Sequence, residues 1–115
     1  MNASDPVYPV EIDVRSVKEL FDRGEKFLLL DCREPKENQL VKIAGSTLVP
    51  MREVAERLGE LAPHKDGRIV VHCHHGGRSQ KVTEFLRAQG YLGAQNMAGG
   101  IDAWALEIDP TLPRY

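Results

Sequence analysis

Residues 73–79 read Cys-His-His-Gly-Gly-Arg-Ser, and nearly every member of that run has a use in handling an anion at sulfur. Cys73 is a nucleophile once ionised. Gly76 and Gly77 allow backbone angles closed to other residues, so consecutive amide N–H groups can turn inward around one point. Arg78 brings a fixed positive charge, and Ser79 stands at what reads as a helix start. A thiolate or persulfide at that point would be stabilised by the amides, the helix dipole and Arg78, all of which lower a cysteine pKa from its free value of roughly 8.5. The nucleophile is then activated without a dedicated base. His72, His74, His75 and Lys81 add potential positive charge around the same mouth, which favours a small oxyanion. The bland reading of Cys73, a buried structural thiol in a tight turn, leaves this loop unexplained.

Such a loop works only if a strand delivers the cysteine and a helix starts just after it. "RIVVHC" (68–73) reads as the strand, and from Arg78 to Gln89 the apolar stripe of Val82, Phe85 and Leu86 reads as the helix, with Gly90 where a helix C-terminal glycine belongs. The remaining chain alternates in the same way. "VEIDV" reads as a short strand, and "SVKELFDRG" as a helix in which Ser16 and Glu19 have capping-box spacing. "KFLLLDCR" is a continuous apolar strand of the kind covered on both faces. A polar loop, a third strand "STLVP" and an amphipathic helix "MREVAERLGEL", with Val54, Leu58 and Leu61 on one side, come next. "AQNMA" reads as a fifth strand and "GGIDAWALEI" as a last helix. The pattern predicts an α/β domain with a mainly parallel sheet, and ligands of such folds sit at the carboxyl ends of the strands, where Cys73 falls.

The 115 residues suffice for one domain with a real core, running over about 9–107, with Pro-containing ends "SDPVYPV" and "DPTLPRY". The 42% hydrophobic and 28% charged residues are ordinary for a globular protein. No apolar run is long enough to span a bilayer. Fifteen basic and seventeen acidic residues are interspersed for a net charge of −2, so there is no basic field of the kind a nucleic-acid surface needs. Neither nucleic acid nor membrane is an expected partner. "MNASDPVYPVEIDV" lacks the basic start and apolar core of a signal peptide, which makes the cytoplasm, where thiols stay reduced, the expected compartment. The two cysteines, Cys32 and Cys73, are too few for a disulfide scaffold.

The segment "VVHCHHGGRSQKVTEFLRAQGY" and the later "NMAGGIDAW" resemble the second half of a single-domain rhodanese, a sulfurtransferase, and "LLLDCREPKE" and "IAGSTLVPM" resemble that family's first-half motifs. The resemblance implies a five-stranded parallel sheet with helices on both faces. It also implies that Cys73 accepts sulfane sulfur from thiosulfate or a protein persulfide and holds it until a thiophilic acceptor attacks, with ping-pong kinetics. Arg78 would bind the anionic donor, with His74 and His75 at the mouth and Gly76, Gly77 and Ser79 shaping the amide cradle. No metal or organic cofactor is implied. Acceptors range from cyanide to thiols, and a cysteine desulfurase or a sulfur-carrier protein are possible protein partners. The usual Gly-His-Ile-Pro-Gly-Ala is here Val41-Lys42-Ile43-Ala44-Gly45-Ser46, and Cys32 replaces a common valine, which leaves the acceptor open. "IAGSTLVPM" and "IDPTLPRY" also look like rhodanese domains fused behind adenylyltransferases that feed sulfur carriers.

Competing readings are narrower. Rhodanese-like phosphatases and arsenate reductases place one more residue between cysteine and arginine than the four found here, and the smaller cradle suits one sulfur better than a tetrahedral oxyanion. A non-catalytic binding module would not need the cysteine and its loop. The "HCHH" cluster invites a metal, yet neighbouring residues rarely aim at one ion and no second pair has zinc spacing. Cys32 reads as a packing thiol, with resolution of a Cys73 persulfide into a disulfide as the alternative. Asp31, Arg33 and Glu34 read as an ion-pair and turn-capping set, and Gly99, Gly100 and Trp104 as the start and packing of the final helix.

Overall fold

The computed structural model describes residues 8–115. The part of the "SDPVYPV" reading before Tyr8 lies outside the described residues. Five strands, β1 (Glu11–Ile12), β2 (Leu28–Asp31), β3 (Thr47–Leu48), β4 (Ile69–His72) and β5 (Ala94–Met97), form one sheet in the order β1-β5-β4-β2-β3, every pair parallel. β4 sits at the centre with all four residues buried, as a strand covered on both faces requires.

Alternation along the strands sorts the core into two layers. Leu30, Cys32, Ile69, Val71 and Cys73 face one side, where they meet Val82 and Leu86 of α4 (Gly77–Ala88) and Leu61 of α3 (Leu58–Leu61). Leu29 and Val70 face the other, where α1 (Val14–Asp22) and α5 (Gly100–Glu107) pack with Val17, Leu20, Ile101 and Trp104. The two cysteines therefore share a face. Register aligns Asp31 with His72, and the Cys32 N–H donates to the His72 carbonyl at 3.1 Å, so Cys32 and Cys73 emerge side by side from adjacent strands.

Three local expectations are corrected. The polar loop after β2 contains a helix, α2 (Pro35–Leu40), opened by Pro35 and by a capping box between Glu34 and Glu37. Its six residues bury no side chain fully, so it has no apolar period to read. The single helix expected over 51–61 is broken: a 3₁₀ turn at Met51–Glu53, the short α3, and another 3₁₀ turn at Ala62–His64 replace it. Val54 and Leu61 still reach the core, and Pro63 prevents continuation. Finally, α1 is capped by Asp13, whose carboxylate accepts from the Ser16 N–H at 2.7 Å, in place of the Ser16 cap.

Candidate active site

β4 ends at His72, and Cys73 follows directly with its side chain turned under the loop that leads into α4. Gly76 caps that helix with φ +121°, a conformation that side chains rarely adopt, and its N–H donates to the Cys73 sulfur at 3.1 Å. The Ser79 N–H reaches the same sulfur at 3.4 Å and the Ser79 hydroxyl lies 3.3 Å away. Burial works against ionisation of Cys73, but the Ser79 hydroxyl and the N–H groups of Ser79, Gly76 and Arg78 outweigh it and bring the thiol below its usual range. Only Gly76 of the glycine pair uses the freedom expected of both. Gly77 is the first residue of α4, with open space where a side chain would go.

The loop is braced from below by α5. The N–H groups of Ile101 and Asp102 donate to the carbonyls of Cys73 and His74 at 2.9 and 3.1 Å. This approach is possible because Gly100, at φ +60°, has no side chain to collide with those carbonyls. Sequence reasoning placed Gly100 at the start of a helix but did not foresee that it supports the loop. It also missed Asn96, a buried amide in β5. Asn96 accepts from the Ser79 hydroxyl at 2.5 Å and donates to the Gln80 side chain at 3.1 Å, tying the first turn of α4 to the sheet. A polar residue inside an otherwise buried strand was the available signal.

Arg78 is not a free cation. Its guanidinium donates to both oxygens of Glu37 on α2, at 2.6 and 2.9 Å. The Arg78 hydrogen bonds pull the Glu37 carboxyl down to about 2 and the pair raises Arg78 further. The Tyr115 hydroxyl donates to the same carboxylate at 2.6 Å. Neither Glu37 nor Tyr115 was singled out from the sequence.

The histidines divide. His72 is fully buried, and burial holds its pKa at about 4, so the expected positive charge at this position is absent at neutral pH. His74 is sandwiched, its ring stacked on Tyr115 at 3.8 Å and on His75 at 3.9 Å, while His75 points outward. Burial and the neighbouring His75 lower the His74 pKa. Lys81 is exposed on α4. Potential ligand atoms of His74, His75 and Asp102 lie within 4.8 Å of one another, but Arg114 already occupies the Asp102 carboxylate at 2.9 Å. That grouping reads as a polar cluster bracing the loop.

Asp31 and Arg33 form a wholly buried ion pair at 2.8 Å, completed by Asn38, the Val41 carbonyl and the Tyr115 hydroxyl. Every strong donor of Arg33 has an acceptor, which is the condition under which such a pair is tolerated in a core. Glu34 caps α2, so this trio is the structural set expected. Cys32 is a free buried thiol whose pKa is pushed well up by burial and then by the nearby Cys73 and Asp31. Its thiolate is therefore scarce.

The rhodanese-like domain model matches residues 13–107. A sulfurtransferase of Allochromatium vinosum is 36% identical over 95 residues, covering 83% of this chain and 87% of that protein. Adenylyltransferase and sulfurtransferase MOCS3-1 of Zea mays is 34% identical over 109 residues, covering 90% of this chain but 23% of that protein. The chain spans about a quarter of the length of the first curated relatives it matches. Among solved structures, a rhodanese-related protein of Thermoplasma volcanium superposes with a TM-score of 0.77 at 32% identity, covering 87% of this chain and 94% of that one.

Proposed function

This chain belongs to the rhodanese-like domain family of sulfurtransferases, and from that premise we propose that it carries sulfane sulfur as a persulfide on Cys73. The observation that carries the reading is the sulfur itself, held by the N–H groups of Gly76 and Ser79 at 3.1 and 3.4 Å. A cradle fitted to one sulfur stabilises a thiolate before transfer and a terminal persulfide after it.

In the first half-reaction the Cys73 thiolate attacks the sulfane sulfur of a donor, either thiosulfate or a protein persulfide such as that of a cysteine desulfurase. The new S–S bond forms as the donor's S–S bond breaks, and sulfite or the donor thiolate leaves with the electron pair. In the second, cyanide or a thiolate attacks the outer sulfur, the bond to Cys73 breaks, and the cysteine thiolate returns to the cradle. Sulfur leaves as thiocyanate or as the acceptor's persulfide. Electrons balance without an external oxidant, and no metal or cofactor takes part.

Arg78 contributes its backbone N–H to the cradle and its side chain, held by Glu37, to the binding of the anionic donor, with His74 and His75 on the same loop. Similarity to adenylyltransferase and sulfurtransferase proteins supports a sulfur-carrier protein as a partner. Initial rates with varied thiosulfate and cyanide test the scheme. Parallel double-reciprocal lines that vanish in Cys73→Ser are expected, whereas turnover surviving that substitution would overturn it.

A further inference from the structure

Cys73 is only 1% exposed, so a donor cannot reach its sulfur while the surrounding groups stay as they are. Something at the mouth must part. Arg78 sits in the first turn of α4 beside Ser79, whose N–H holds the Cys73 sulfur, and Glu37 grips its guanidinium with two hydrogen bonds. This clasp joins α2 to the first turn of α4, next to the cysteine loop. The pair is bidentate and holds well, but by itself it is not anchored: α2 buries no side chain fully, and the two side chains remain 33% and 20% exposed.

Tyr115 changes that. Its hydroxyl donates to Glu37 at 2.6 Å and accepts from Arg33 at 3.0 Å. Arg33 is wholly buried and held to Asp31 and to the Val41 carbonyl inside the core. The phenol ring lies flat on His74, with an interplanar angle of 7°, and the adjacent Arg114 pairs with Asp102 on α5. One residue thus connects a fixed anchor, the acidic half of the clasp and the cysteine loop.

We propose that Tyr115 is a positioning residue: it latches Glu37 onto Arg78 and so sets how often Cys73 becomes reachable by a sulfur donor. The inference rests on Cys73 being the sulfur-bearing residue. When the latch releases, Glu37 can swing from Arg78, which opens the mouth and frees the guanidinium to meet an incoming anion in the same motion.

The test is the rate of Cys73 alkylation by iodoacetamide, an uncharged reagent, in the full chain from pH 6 to 9. Tyr115→Phe keeps the ring and removes the hydroxyl, and is expected to react roughly five- to tenfold faster than wild type. Glu37 stays ionised and Tyr115 neutral across that range, and His74, which Tyr115 stacks on, is held below its ordinary pKa by burial and then by His75, so the ratio is compared at the alkaline end, where it reports access. Equal rates would overturn the proposal. So would a profile merely displaced along the pH axis, with equal rates where the thiol is fully ionised, since that marks altered thiol ionisation and not access. Arg114→Ala, which loosens the same segment without touching the clasp, should accelerate alkylation less but in the same direction, and decides the matter should Tyr115→Phe not fold. Sulfur loading from thiosulfate in the same samples separates the two ideas. Faster alkylation with no loading in any variant removes the sulfur-carrying premise and with it this role for the latch. Loading in wild type with equal alkylation rates removes the latch alone.

Discussion

The Ser79 hydroxyl stands 3.3 Å from the Cys73 sulfur and 2.5 Å from Asn96 Oδ1, so one proton faces two acceptors. With a neutral thiol, the S–H can donate to Ser79 while Ser79 donates to Asn96. With a thiolate, the hydroxyl can donate to the sulfur only by giving up Asn96. Ser79→Ala removes that donor and is expected to move the pH profile of Cys73 alkylation to higher pH, slowing the reaction at pH 7 by about three- to tenfold. An unchanged profile would show that the backbone amides alone hold the charge.

His72 gives the fold an acid-sensitive window. Its folded pKa of about 4 lies below the ordinary value of 6.5, so between these limits the unfolded chain takes up a proton that the folded chain refuses. The contribution of a neutral His72 is full above pH 6.5 and is lost as pH drops towards 4, by about 3 kcal/mol across the window. Urea unfolding followed by Trp104 fluorescence at pH 7, 6, 5 and 4 measures it. His72→Gln should flatten that part of the curve.

Gly100→Ala should be severe for one methyl group. A Cβ there would collide with the Cys73 and His74 carbonyls, and the residue's φ of +60° adds strain. A loss of about 2–4 kcal/mol is expected, with a matching fall in Tm. Gly77→Ala, with open space around it, should cost far less.

Asp31→Asn leaves the Arg33 guanidinium buried beside a neutral amide. The expected loss is about 3–5 kcal/mol, because the stranded charge keeps its desolvation cost and loses its main compensation. Chemical denaturation checks this, and a loss below about 1 kcal/mol would contradict a dependent buried pair.

These particulars also show what a chain of residues discloses about itself. Strands β2 and β4 were legible because buried parallel strands are continuous apolar runs, and α4 because its stripe and terminal glycine agree. Cys73 and its loop stood out because glycine, arginine and serine at that spacing have few other uses. Glu37 and Tyr115 did not, because they lie 41 and 37 positions from Arg78 and only the fold brings them together. Asn96 was visible as a polar residue in a strand, but its partner was not. The broken helix at 51–61 escaped because a short 3₁₀ turn can bury the same Val54 that a helix would.

Cys73 as the bearer of transferable sulfur is tested most directly by intact mass spectrometry without reductant, after incubation with thiosulfate or with a cysteine desulfurase and cysteine. The account predicts that wild type and Cys32→Val each gain one sulfur atom, that cyanide removes it, and that Cys73→Ser gains none. Wild type that stays unmodified with both donors, or Cys73→Ser that gains sulfur as readily, would contradict it.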